Sequence, residues 1–348
     1  MKYLIHVGPG IGDMMQFFSM ARDIKEQDPN SRVDFIMRGN PLSFMINNQL
    51  MECQDYADHL YWYSINAPLH LIKLVCQLLF VGKYDYGIVH IKNISGKKSL
   101  WLYRIMRFLR CKRIIGSGYK KLDIVVSDDN MHYLEYHASL LNAVGIKGNI
   151  NPISIKIEKL NSRIVETLDI PLNAKVVGIS IGTNIMKWKT NGLVYSYDVK
   201  SWPYDRWIQL AERLSKKGIV VFVMGGRKEY NEINELRIKI TENTNLINFI
   251  GKTSIKESLA LVGRCDLMVG SEGGMMHCAA ALGIKTLTIF GGTDPKKWNP
   301  GGPNGNIVFM NYNCGPCFIT NKAIECKEHK CLIDITIDMV ENRILNLI

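Results

Sequence analysis

An aspartate stands at the mouth of a glycine turn near the start of the chain, in Gly8-Pro9-Gly10-Ile11-Gly12-Asp13. A short apolar run, Tyr3 to Val7, leads into the turn, and an apolar helical pattern of Met14, Phe17, Phe18, Ala21 and Ile24 leads out of it. Glycines at a strand-to-helix turn let backbone amides approach a phosphate, which a carboxylate would repel. The turn lacks the Gly-Lys-Ser/Thr ending of a nucleoside-triphosphate loop. Its glycines also miss the dinucleotide spacing, and the acid such a site wants at the tip of the second strand is misplaced, because Asp34 lies inside the run 32–37. A tight turn without a ligand is the plain alternative.

The second half of the chain carries a more specific set of loops. "ISIGT" (179–183) ends an apolar run with Gly-Thr, and Lys200 precedes Trp202-Pro203, where a helix should begin at Tyr204 or Asp205. A lysine there reaches a diphosphate as a point charge. "VMGGRKE" (223–229) ends another run with two glycines and a nearby acid. "VGSEGGMMHCAAALG" (269–283) reads strand, acid, two glycines, helix. The Gly273 and Gly274 amides at a positive helix end make an anion site. Each loop alone has a bland reading: Lys200 as a solvated charge, His277 as a satisfied helix histidine, Glu272 as a cap. Their joint spacing in one α/β segment favours the functional one.

Positioning these loops takes alternating strands and helices. Strand patterns at 32–37, 84–91 and 111–116 alternate with helical patterns at 99–110 and 132–145, the mark of parallel βαβ units. Residues 146–170 lose the pattern and read as a connection. A second series follows: strands at 175–182, 219–226 and 285–292, a strand and loop at 266–274, and helices at 204–218, 254–265 and 275–283. The reading is two Rossmann-like domains facing each other across a cleft, residues 1–155 and 171–333, with a C-terminal helix over 334–348. Ligands in such folds sit at the carboxyl ends of the strands.

With these motifs in place, the sequence resembles glycosyltransferase family nine, the heptosyltransferases, along nearly its whole length. The resemblance rests on "GIGD" (10–13), "YDYGIVHI" (84–91), "GT…KSWPYDRW" (182–207), "GGRKE" (225–229), "GKTSIKESLALVGRCDLMVGSEGGMMHCAAALG" (251–283) and "FGGTDPKKW" (290–298). It implies a GT-B fold, an ADP-heptose donor and inversion at the anomeric carbon without a catalytic metal. It also implies that Asp13 is the catalytic base facing the acceptor hydroxyl, which accounts for a carboxylate at that turn. Gly12 would assist at the phosphate edge. Thr183, Lys200, Gly273 and Gly274 would meet the departing diphosphate. Glu229 resembles the residue that takes the ribose hydroxyls, with Arg227 or Lys228 as alternatives for that slot; Thr253 and Ser254 would lie near the base, and His277 matches the family histidine of the donor loop. The chain departs from the family at Glu272-Gly273-Gly274-Met275, where Asp, Ser or Thr, Gly and Pro are usual, which leaves open which sugar and nucleotide the donor carries. A loop over 185–199, between Thr183 and Lys200, is either a lid or a long surface loop.

The composition sets the frame. The chain has 348 residues, 47% hydrophobic and 22% charged, with a net charge of +11. That balance points to an anionic partner. From Tyr86 to Leu122 there is no acid, and Lys97, Lys98, Arg104 and Arg107 are read as a surface for an anionic acceptor: a glycan, a lipopolysaccharide core or a protein. A solvated helix face is the bland alternative. The most apolar window, 67–82, is too short to span a bilayer and reads as a buried or partly buried helix. No signal peptide is expected, and nine cysteines suggest a reducing compartment. The expected location is therefore cytoplasmic, with peripheral contact at the inner face of the inner membrane. Two other readings stay open: an NAD(P)-dependent oxidoreductase, against which Asp34 speaks, and a nucleic-acid-binding protein, for which no stacking platform or reader motif appears.

Cys314, Cys317, Cys326 and Cys331 form a C-x2-C pair followed by two cysteines, the ligand spacing of a tetrahedral thiolate site for zinc or a single iron. Family members that glycosylate autotransporter proteins carry a cysteine-ligated iron in a comparable place. Free thiols or a disulfide are the alternatives. With four thiolates the metal would be structural, leaving no cofactor in the catalysis.

Overall fold

β1 (Lys2–Val7) enters the centre of a six-stranded parallel sheet. The computed structural model describes all residues except 65–66, 90–95, 128–129, 156–159, 161–162, 172, 183–185, 191–192, 198, 236–238, 242, 303–304, 319–322 and 324. The chain divides into two compact units, Met1–Ile155 and Lys156–Ile348.

In the first unit β1 is followed by α1 (Ile11–Gln27), β2 (Arg32–Arg38), α2 (Pro41–Met51), β3 (His59–Tyr63), α3 (Pro68–Val81), β4 (Tyr84–Val89), α4 (Gly96–Phe108), β5 (Cys111–Gly116), β6 (Ile124–Val125) and α5 (Tyr133–Asn142). The strand order is β3-β2-β1-β4-β5-β6. The crossover from β3 to β4 therefore jumps past two strands, and the chain reverses its build direction between β1 and β4. Such a switch point opens a crevice at the carboxyl ends of the strands. α1 fills its core face with Met14, Phe17, Phe18, Ala21 and Ile24, all buried. Its buried Arg22 donates to Asp23 and to the carbonyls of Asn151 and Pro152, while Asp23 accepts from the Asn149 amide. This clamp holds the end of the first unit against α1.

β3 is absent from the sequence reading, which took 84–91 as the third strand. Of its five residues only Leu60 and Tyr63 are buried, so the apolar pattern is too short to stand out. Asp34 is wholly buried in the middle of β2. It accepts from Arg32 Nε at 2.8 Å and from the Tyr84 hydroxyl at 2.6 Å, with His59 Nδ1 at 3.3 Å. A carboxylate so engaged inside the sheet is not available to a ribose at the strand tip.

The second unit opens with α6 (Arg163–Glu166) and repeats the order with β7 (Val176–Ser180), β10 (Val220–Met224), β11 (Leu246–Asn248), β12 (Leu267–Ser271), β13 (Lys285–Phe290) and β14 (Asn306–Phe309), arranged β11-β10-β7-β12-β13-β14. Between β7 and β10 come the antiparallel hairpin β8 (Met186–Thr190) and β9 (Leu193–Tyr197) and then α7 (Tyr204–Lys216). The expected loop at 185–199 is thus largely a hairpin. α8 (Arg227–Glu235), α9 (Ile255–Gly263), α10 (Gly274–Ala281) and α11 (Pro295–Trp298) follow their strands. Two C-terminal helices, α12 (Lys330–Ile333) and α13 (Ile337–Leu345), close the unit. Val340 and Ile344 of α13 join Trp202, Trp207 and the sheet in one core. All five strands β7, β10, β12, β13 and β5 begin and end within three residues of the runs read from the sequence.

Candidate active site

In the first unit the glycine turn closes around the carboxylate of Asp13. Asp13 stands in the first turn of α1, and its Oδ2 accepts a 3.3 Å hydrogen bond from the Gly10 amide. A Cβ on Gly8 would lie 2.2 Å from that oxygen, and one on Gly10 would lie 3.0 Å from it. The glycines therefore leave room for an acid. The turn is braced from α2, whose Asn47 donates through Nδ2 to the Pro9 carbonyl at 2.9 Å. The carboxylate sits at the carboxyl end of β1, beside the switch point. Gly12 lies in the same first turn, where backbone amides lack helical partners.

In the second unit the candidate residues gather at the carboxyl ends of β7, β10 and β12. Lys200 Nζ meets Glu272 Oε2 at 2.5 Å, and both side chains are largely buried. The same ammonium stands 4.9 Å from the centroid of the Phe318 ring. Its backbone is fixed on either side. The Trp202 amide donates to Ser271 Oγ and the Trp202 indole to the Ile335 carbonyl, each at 3.0 Å. On the other side the Gly292 amide donates to the Val199 carbonyl at 2.6 Å. That approach requires glycine at Gly291, where a Cβ would fall 2.3 Å from the Val199 oxygen.

Gly273 caps α10 in an extended conformation, and Gly274 opens the helix. Their amides point from the positive end of α10. His277 is buried one turn further in. Glu229, on α8, is buried and accepts from the Gly226 amide at 2.8 Å; its carboxyl carbon lies 2.9 Å from where a Cβ on Gly182 would stand. The Gly251 amide donates to the Gly225 carbonyl at 2.9 Å, which sets the Thr253 loop beside α8. Thr253 Oγ1 is 2.7 Å from Ser258 Oγ, and Ser254 caps α9. The structure thus brings Lys200, Glu229, Glu272, Gly273 and Gly274 to one edge of one sheet, with Thr253 in the neighbouring loop. Thr183 lies outside the described residues.

The basic surface of the first unit needs correction at one residue. Arg107 is not free for an acceptor: its Nη2 grips Asp123 in a bidentate pair at 2.5 and 2.7 Å, and its Nη1 donates to the carbonyls of Cys111 and Lys112. It ties α4 to β5. Arg104 is exposed, and Lys97 and Lys98 fall in α4 with side chains outside the described set.

The four cysteines between residues 314 and 331 come near one another. Burial, and then the thiols of Cys317, Cys326 and Cys314, push the Cys331 thiol up to about 11. Among the described residues, however, no three His, Cys, Asp or Glu side chains stand in an arrangement that holds a metal. The loop instead packs behind Lys200. The Cys317 and Phe318 amides donate to the Gly292 carbonyl at 2.8 and 2.9 Å, and Cys317 is buried with Val199 and Ala323.

Four supporting residues escaped the sequence reading: Gly8, Asn47, Ser271 and Phe318. Gly8 was visible as a glycine, but its reason was not. The other three act on partners many residues away, and no local spacing signals them.

Comparison with known proteins gives this geometry a setting. The profile of "Glycosyltransferase family 9 (heptosyltransferase)" matches residues 194–328. The chain is 25% identical to lipooligosaccharide heptosyltransferase 2 of Campylobacter jejuni, covering 100% of this chain and 98% of that one. It is 29% identical to the enzyme of the same name from Haemophilus ducreyi, covering 100% and 99%. The solved structure of Escherichia coli ADP-heptose lipopolysaccharide heptosyltransferase II superposes with a TM-score of 0.72 at 19% identity, covering 100% of this chain and 98% of that one. The fold is that of these two-domain GT-B enzymes.

Proposed function

We propose that this chain, a heptosyltransferase-like glycosyltransferase of family 9, moves heptose from ADP-heptose to a hydroxyl of an anionic glycan, such as a lipopolysaccharide core, with inversion and without a catalytic metal. The observation that carries the mechanism is the glycine turn folded around Asp13. Inverting transfer is one displacement at the anomeric carbon, and it needs a carboxylate within hydrogen-bond reach of the attacking hydroxyl. Asp13 takes the hydroxyl proton as the new C–O bond forms, and the bond to the diphosphate oxygen breaks on the opposite face of the sugar. The second unit receives the charge of the leaving group. Lys200 and the Gly273 and Gly274 amides stand where that charge grows, and Glu229 takes the ribose hydroxyls. The acceptor is membrane-linked in this reading, which places the enzyme at the inner face of the inner membrane.

Asp13→Asn keeps the shape of the turn and removes the base. Donor binding should stay near that of the parent, while transfer falls by about 10²-fold or more. Full turnover by Asp13→Asn at saturating ADP-heptose would refute the mechanism. A panel of ADP-sugars and UDP-sugars in a thermal-shift assay tests the donor separately. A structural iron or zinc on Cys314, Cys317, Cys326 and Cys331 belongs to the same reading, supported by four thiols in one loop. It requires the thiols to draw together beyond their present arrangement. Elemental analysis of untagged protein should give about one metal per chain, lost in the Cys314→Ser/Cys317→Ser variant.

A further inference from the structure

The outer side of the helix layer over β4 and β5 exposes large apolar side chains. α3 buries Leu74 and Leu78 in the core beneath it. On its other side Ile72 is 61% exposed and Phe80 is 93% exposed, with Cys76 and Leu79 also exposed between them. Positions 72, 76, 79 and 80 make one helical stripe, so α3 carries two apolar faces and the fold uses one. α4 lies in the same layer, because Leu102, Met106 and Leu109 enter the same core as Leu74 and Leu78. Its outer side shows Arg104 and, one turn on, Phe108, which is 63% exposed.

Topology puts the two phenylalanines together. α3 runs into β4 and α4 runs into β5, and these strands are neighbours, with Tyr84 paired to Cys111. Phe80 and Phe108 therefore emerge at the same end of adjacent strands. The rim around them is basic. Lys73, Lys83, Arg110 and Lys112 are exposed, and Lys2 Nζ donates to the Val81 carbonyl at 2.6 Å. Between His59 and Leu122 the sequence holds a single acid, Asp85. That carboxylate is already engaged by Lys112 Nζ at 2.6 Å and by the Lys2 amide at 2.9 Å, and the two bonds hold its pKa below the usual range.

We propose that this face of α3 and α4 docks on an anionic lipid bilayer, with Phe80 and Phe108 entering the headgroup layer and the lysines and arginines meeting lipid phosphates. An apolar tip ringed by an excess of positive charge is the chemistry of a helix that lies in the interface. A second copy is a poor occupant, since a two-fold contact here would press two basic rims together. The face lies on the membrane and does not cross it: α3 spans roughly 21 Å, short of the ~30 Å hydrocarbon core. No helix among the described residues is long and apolar enough to cross. The inference deepens the membrane contact in the functional reading above, and it needs neither the donor nor the base.

Full-length protein is sedimented with vesicles of phosphatidylglycerol and phosphatidylethanolamine, and with pure phosphatidylcholine vesicles. Binding should be confined to the anionic vesicles and should weaken with salt. Phe80→Ser/Phe108→Ser should lower partitioning by about tenfold or more. Lys73→Gln/Lys83→Gln should flatten the salt dependence. Melting and nucleotide-sugar binding should stay unchanged in both variants. Amide exchange in the unmodified protein gives a reading free of any folding defect: residues 72–83 and 104–112 should be protected by anionic vesicles alone. Equal binding to both vesicle types, unchanged exchange, or wild-type binding by the phenylalanine variant would overturn the proposal. So would a dimer that Phe80→Ser dissociates, which would assign the face to a second copy. Because no step reads transfer, a failure here leaves the transferase reading standing, and an inactive Asp13→Asn leaves this one standing.

Discussion

Both units place an acid at a strand-glycine-helix turn, and the two turns solve opposite problems. In the first unit the acid follows the glycines, inside α1, and the turn wraps it: Gly8 is glycine because any Cβ would collide with Asp13 Oδ2. In the second unit the acid precedes the glycines and turns away to Lys200, which leaves the Gly273 and Gly274 amides at the head of α10. A Cβ on Gly273 would meet nothing closer than 3.6 Å. One turn cradles a carboxylate, and the other sets its amides at a helix head, where the proposed function puts the donor diphosphate. The lesson is that glycines at such a turn report a close approach of something to backbone, and the position of the acid says what that something is.

The sharpest way to break the comparison is to add the same methyl to both turns. Gly8→Ala must drive the Asp13 carboxylate aside, and a displacement of that size should lower transfer by about 10²-fold. Donor affinity should hold. Gly273→Ala meets only ordinary contacts in extended backbone, so its melting temperature should match the parent. It should raise donor KM a few-fold at most, because the amide is retained. Equal losses of transfer in the two variants would mean that both turns do the same job.

A second test asks whether Glu272 is the counter-ion of Lys200 in the resting enzyme. Lys200→Ala strands a buried carboxylate, which costs up to about 3–5 kcal/mol of stability. Adding Glu272→Gln should recover about 1–2 kcal/mol of that. If Lys200 meets the diphosphate as proposed, transfer should remain roughly 10- to 100-fold down in both variants, since both lack the ammonium. Additive stability losses, measured by urea unfolding, would show that the 2.5 Å contact carries no coupling.

These outcomes also mark what was legible in the sequence. The parallel sheets were, because a buried run such as 220–224 is wholly apolar and leads straight into glycines. β3 and α2 were not, since His59–Tyr63 buries two residues and Pro41–Met51 buries only Asn47 and Leu50. The chemistry-bearing residues at strand ends could be read because the fold puts loops there. Arg107 could not, because its partner Asp123 lies beyond the acid-free stretch that made the helix look like an open basic surface. Glu272 was read as the acid of the donor loop, and its pairing with Lys200 needed the two loops side by side.

Phe318 is the residue with no counterpart in the first unit, and its effect is the smallest. It reaches Lys200 from the cysteine loop, held there by its own amide on the Gly292 carbonyl and by Cys317 packed on Val199. A ring beneath an ammonium already paired to a carboxylate contributes about 0.5–1 kcal/mol when partly exposed. Phe318→Leu keeps the apolar volume and loses the ring face, so donor affinity should fall about two- to fivefold with transfer at saturation unchanged. Cys317→Ser should shift the same quantity in the same direction by loosening the loop behind the ring. In the Phe318→Leu background it should add little, because the path from the loop to Lys200 is already cut. If Cys317→Ser weakens donor binding equally in both backgrounds, the cysteine loop reaches the site by another route, and the ring is only packing.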